Sequence, residues 1–117
     1  MLQQQVAGGS LLEVQFYEFN FSGTEGSLQW FTQSTMVNVP PGGTRLVASV
    51  ASWQIAFGSV ENKISSLGVL AGADPNAFPQ IWASIGVIAF NPSDPNPTVA
   101  PPNPWTANVS VQVLIFA

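Results

Sequence analysis

The 117-residue chain has no cysteine and no histidine, and only eight charged residues, two basic and six acidic. Each shortage removes a class of function. Without cysteine there is no disulfide framework and no thiolate metal site. Without histidine as well, most general-base, triad and transition-metal chemistry is excluded. Two basic residues cannot neutralise a row of phosphates, so binding to a nucleic-acid backbone or to anionic lipid is not expected. No apolar run approaches the roughly 18 residues of a membrane-spanning helix. No basic residue precedes Arg45 to open a secretory signal. The compartment is therefore unknown, with an extracellular or cell-surface placement favoured.

The six carboxylates do not compose a site. Glu13, Glu18, Glu25, Glu61, Asp74 and Asp94 are isolated in sequence, and most stand beside turns. A glycosidase needs two carboxylates about 5 to 10 Å apart across a cleft, and no motif supports such a pair. Neither an enzyme nor a cofactor nor a bound metal is expected.

The chain is nonetheless built to fold. Leu, Ile, Val and Phe make up 35 of its 117 residues, well above the roughly 20% below which disorder is expected. Charged residues are 7% of the chain, against about 25% in a typical soluble domain. Its polar surface must come from Gln, Asn, Ser and Thr. Such a surface gains little from charge repulsion and suits contact with neutral partners, either copies of itself or a glycan.

Residues 1–10, MLQQQVAGGS, read as an arm with a Gly-Gly-Ser joint, carrying Leu2 and Val6 as anchors. Residues 11–117 then form one domain of strand signals separated by Gly, Pro, Asn and Asp clusters. No stretch has a helical period of useful length. Six to eight short strands predict an all-β, antiparallel β-sandwich of jelly-roll or Greek-key kind. The Pro-Pro-Gly-Gly at 40–43 is a hard break, and the stretch from Asn91 to Pro104 holds six of the ten prolines.

One stretch departs from simple alternation. In LEVQFYEFNF (12–21), Leu12, Val14 and Phe16 set one apolar parity, and Tyr17, Phe19 and Phe21 set the other. An uninterrupted strand would turn apolar side chains to both faces. A β-bulge near Phe16 and Tyr17 would bring both halves onto one core. Otherwise a neighbouring subunit must cover the second face. The stretch WTANVSVQVLIFA (105–117) alternates cleanly until Leu114, Ile115 and Phe116, which are all apolar and need a cover. In RLVASVASWQIAF (45–57), Val47, Ala51, Trp53, Ile55 and Phe57 carry most of one parity.

Two readings follow. The first is a non-enzymatic structural subunit that self-assembles, with Leu2, Val6, Tyr17, Phe19, Phe21, Leu114, Ile115 and Phe116 as its contact residues. The second is a lectin-like module. Trp105 would stack on a sugar ring, while Asp94, Asn96, Asp74 and Asn76 would orient its hydroxyls. The repeated Asp-Pro-Asn at 74–76 and 94–96 is also what Asx-turns require, and turn chemistry is the simpler account. Calcium would need more oxygen ligands than one Asp per loop supplies. Trp30 and Trp105 flank turns, which leaves partial exposure open for either, and packing at the rim of the sandwich is the simpler account of such a ring. Trp53 and Trp82 lie inside strands and are expected in the core or at a subunit contact. Asn20-Phe21-Ser22 and Asn108-Val109-Ser110 match the glycosylation acceptor pattern weakly.

Overall fold

The computed structural model describes residues 10–24, 29–57, 63–90 and 104–117. Its six strands are β1 (Leu11–Thr24), β2 (Gln29–Met36), β3 (Arg45–Phe57), β4 (Lys63–Ala73), β5 (Gln80–Phe90) and β6 (Pro104–Phe116). They form two three-stranded sheets, β1-β6-β3 (sheet one) and β2-β5-β4 (sheet two), with every pairing antiparallel. The described residues contain no helix, and the two sheets pack together around one core.

That core follows from alternation in the two central strands. Along β6, every second residue from Trp105 to Ile115 is buried, and so is every second residue from Ile81 to Val87 along β5. Most are β-branched, with stiff side chains that pack well on a pleated surface. Burying each Val or Ile stabilises the fold by about 1.5 to 3 kcal/mol. Phe19 and Phe21 of β1 and Leu46 of β3 complete the layer. An Asp in place of Val111, which has no exposure, would put an unpaired carboxylate between the sheets and prevent folding.

The breaks are made by the turn residues. Gly43 N–H donates to Pro40 O at 3.1 Å, and Gly42 has φ +90°. Proline second and a positive-φ glycine third are the requirements of a type II turn. Between β4 and β5, Asn76 N–H donates to Asp74 Oδ1 at 2.9 Å, the Asx-turn expected of Asp-Pro-Asn. At the opposite ends of the chain, Ala117 N–H donates to Ser10 O at 2.9 Å.

The expected bulge near Phe16 and Tyr17 is absent. Phe16 pairs with Gln112 and Tyr17 with Val111 in unbroken register, and the irregularity of β1 lies between Leu11 and Glu13. Leu12, Val14 and Phe16 are therefore exposed, while Phe19 and Phe21 are buried. The bulge that changes phase lies instead in β3, between Val50 and Ser52. It lets Leu46 before it and Ile55 and Phe57 after it share the core side, and it leaves Val47 outward and 45% exposed.

Candidate functional site

The described chemistry lies on the two outer sheet faces. On sheet one, register aligns Leu11, Phe116 and Arg45 in one cross-strand row and Val14, Leu114 and Val47 in the next. Phe16, Gln112 and Ser49 form the third. Phe16 is 63% exposed, and Leu114 and Phe116 are half-buried. The Arg45 guanidinium lies over the Phe116 ring, 4.8 Å from its centroid, so the cation covers apolar surface without breaking it up. The result is a mostly apolar end on an outward face, bordered by Gln112 and Ser49.

Farther along, the same face turns polar. Asn20, Asn108 and Gln54 share a row, as do Ser22, Thr106 and Ala56. These side chains line a shallow depression of about 470 Å³. Asn108 Nδ2 donates to Glu18 Oε1 at 2.5 Å. Asn20 and Asn108, which head the two Asn-X-Ser triplets, are direct register partners. The depression is lined by amide and hydroxyl groups together with Phe21 and two alanines, with no carboxylate among its lining residues. Among the described residues, no three His, Cys, Asp or Glu side chains could hold a metal ion.

Sheet two carries a different surface. A Cβ placed on Gly86 would lie 2.4, 2.5 and 2.6 Å from Trp30 Cε2, Cδ2 and Cζ2. Near-equal distances to three adjacent ring atoms put that point under the ring face, so the indole lies flat on Gly86. Its far edge reaches Gly68, whose Cβ would meet Cη2 at 2.8 Å. Trp82 rests on Gly72 in the same manner, at 2.8 to 3.2 Å from three ring atoms. Trp30 is 51% exposed: one ring face is seated on backbone and the other is open. Between the two rings, Thr32 Oγ1 and Ser84 Oγ are hydrogen-bonded at 2.7 Å.

The site residues expected from sequence are scattered. Trp105 is not a stacking surface. It is 1% exposed, edge-on to Phe31 with centroids 5.8 Å apart, and its indole N–H donates to Thr24 O at 3.2 Å. Gly23 admits it, since a Cβ there would lie 2.4 Å from Cζ2. Phe19, Phe21 and Ile115 are core residues of this one chain, so they present nothing to a neighbour. Tyr17 is half-buried, and its hydroxyl accepts from Asn38 N–H and donates to Gln15 Oε1. Leu114 and Phe116 do lie on the outer face. Asp74 and Asn76 are occupied with their own turn. Leu2, Val6, Asp94 and Asn96 lie outside the described residues. Trp53 is 47% exposed and Trp82 half-buried, so neither is a core residue, whereas Trp30 has the partial exposure left open for it.

Sequence reasoning allowed for a second apolar face on β1 but named Tyr17, Phe19 and Phe21 as its contact residues where Leu12, Val14 and Phe16 are the exposed set, and it missed the exposure of Val47 and the seating of Trp30. The signal for the last was present: Gly68, Gly72 and Gly86 interrupt otherwise apolar strands, and a lone strand glycine often marks a close approach.

Fold and surface together define an all-β protein of two packed antiparallel sheets with charge-poor outer faces. No protein-family model, curated protein or solved structure matches the chain.

Proposed function

We propose that the chain is a non-enzymatic structural subunit, a jelly-roll-like β-sandwich that assembles with copies of itself through the outer face of sheet one. The jelly-roll reading is supported by strand order. β1 pairs with β6 and β2 with β5, while β3 and β4 lie against each other across the sheets, which is the nesting of a rolled-up double ribbon. The observation that carries the assembly reading is the apolar end on an outward face, formed by the rows around Val14, Leu114 and Val47. The whole outer face, thirteen residues by three strands, is on the order of 600 Å² in plan, and the apolar end is somewhat less than half of it, so a contact that approaches the roughly 800 Å² each partner contributes to a standard interface must extend over the polar rows as well.

The strand edges support the same reading. β1, β2, β3 and β4 are all edge strands, and β2 contains neither a charge nor a proline. Lys and Pro are common defences against edge pairing, and the four edge strands together contain no Pro and one Lys, Lys63. The arm at residues 1–9 is proposed as a second connector.

The decisive measurement is native mass by light scattering across a concentration series, for wild type, Phe16→Lys and Val47→Lys. Both positions are exposed, so the variants are expected to fold. Each places a charge in the contact and should shift the population to monomer. A wild type that stays monomeric at high concentration, or variants that assemble as well as wild type, would overturn the reading. Ile115→Lys is unsuitable because Ile115 has no exposure and the charge would unfold the subunit. Removing residues 1–9 takes away no described strand and should weaken assembly if the arm packs on a neighbour.

A further inference from the structure

We infer that the outer face of sheet two is a binding platform for an extended neutral glycan, with Trp30 and Trp82 as its two stacking surfaces. The argument starts from the glycines. Gly86 and Gly68 hold the Trp30 indole flat against the sheet, and Gly72 holds Trp82 in the same way. A ring seated flat on backbone favours one orientation before any ligand arrives, which lowers the ordering cost of binding. The C–H face of a pyranose ring is apolar and matches such a surface, while its hydroxyls need polar neighbours. In the row between the two indoles Thr32 is the exposed hydroxyl, held by its hydrogen bond to Ser84, which is itself buried, and exposed Leu70 completes the row.

Spacing and charge limit the occupant. Gly68 and Gly72 are four residues apart on β4, roughly 13 Å along the strand. That exceeds one sugar ring, so the indoles would contact different residues of a chain. The spans 29–36, 67–73 and 80–88 contain no charged residue, which favours a neutral ligand over a uronate or sulfated one. A second copy of this protein is a poorer fit. The shared width of the three strands is about eight residues, or roughly 370 Å² in plan, less than half of the ~800 Å² per partner in a stable protein interface. A narrow chain of sugars needs no more.

The test uses the intact protein with cellohexaose and chitohexaose, and with insoluble cellulose and chitin. Wild type should be depleted from solution by at least one of the polymers, and high salt should leave that binding unchanged. Trp30→Ala and Trp82→Ala should each weaken it about tenfold or more, as expected for removing a central aromatic contact, with circular dichroism and native mass unchanged. Chemistry on the wild type gives a readout that does not depend on a variant folding. N-bromosuccinimide oxidation, mapped by mass spectrometry, should be blocked at Trp30 by the bound oligosaccharide and not at Trp53, exposed elsewhere on β3. No binding to any of the four probes, binding that survives both substitutions, or no protection of Trp30 would overturn the proposal. Loss of oligomers in Trp30→Ala would overturn it too, by making this face a subunit contact.

Discussion

Trp105 and Trp30 use the same packing device with opposite outcomes. Each ring rests on a glycine whose Cβ would come within 2.4 Å of it. Trp105 is walled in between the sheets, with Phe31 beside it and Thr24 O taking its N–H. Trp30 has the sheet beneath it and little above. Inside, the glycine makes room for a ring that the core then holds on every side. Outside, the glycine makes a seat, and half of the ring's surface gains nothing from the fold. Contact with a glycine therefore does not distinguish a core residue from a presented one. The second ring face does.

The comparison can be broken most severely at Trp105. Trp105→Ala is expected to cost about 3 to 5 kcal/mol, through lost burial and the cavity left behind, and chemical denaturation would measure it. A cost near zero would mean that the ring is not confined. Next come the seats themselves. Gly23→Ala should destabilise by about 1 to 3 kcal/mol, because Trp105 has nowhere to move. Gly86→Ala should cost less than about 1 kcal/mol, because Trp30 can tilt into solvent, close to the ordinary range for surface changes. Equal costs at the two positions would erase the distinction between the confined ring and the presented one.

The smallest expected effect is also the most specific. Trp30→Ala should change stability by no more than about 1 kcal/mol, and in that background Gly86→Ala should become neutral or mildly stabilising, since the clash is gone. A double-mutant cycle isolates that coupling. Additive effects would show that the indole does not rest on Gly86.

Much of the layer structure was legible in the sequence, because alternation in β6 states directly which residues face inward. The turn at Pro40–Gly43 and the Asx-turn at Asp74 were legible as well, since both are local chemistry of a few residues. The faces of β1 and β3 were not. Alternation identifies two parities but cannot say which one meets the core when both contain apolar residues. In β1 the inward parity is set by register against Val109 and Val111 of β6, nearly a hundred positions away. In β3 the phase change sits at Ala51, a small residue with no turn signature. Trp105 was misread for a related reason: its place after a proline-rich stretch suggested a rim, and only the pairing Gly23↔Trp105 puts a ring-sized space opposite it. The candidate site was the least legible, because Trp30 meets Gly86 and Gly68 only through strand pairing.

The position of β6 at the centre of sheet one has a consequence for how the protein is made. Leu11 pairs with Phe116, and among the described strands β3 also finds its sheet partner in β6. Sheet two is complete in sequence once β5 has emerged from the ribosome, but sheet one cannot form until β6 follows. At about 5 to 20 residues per second, β1 and its two apolar parities wait roughly 5 to 20 seconds for a partner. Pairings this distant in sequence also make for slow folding. The nascent chain is thus vulnerable to aggregation through β1 while β6 is awaited, and a chaperone that shields β1 until β6 arrives should raise the soluble yield more than one that acts once both strands have emerged.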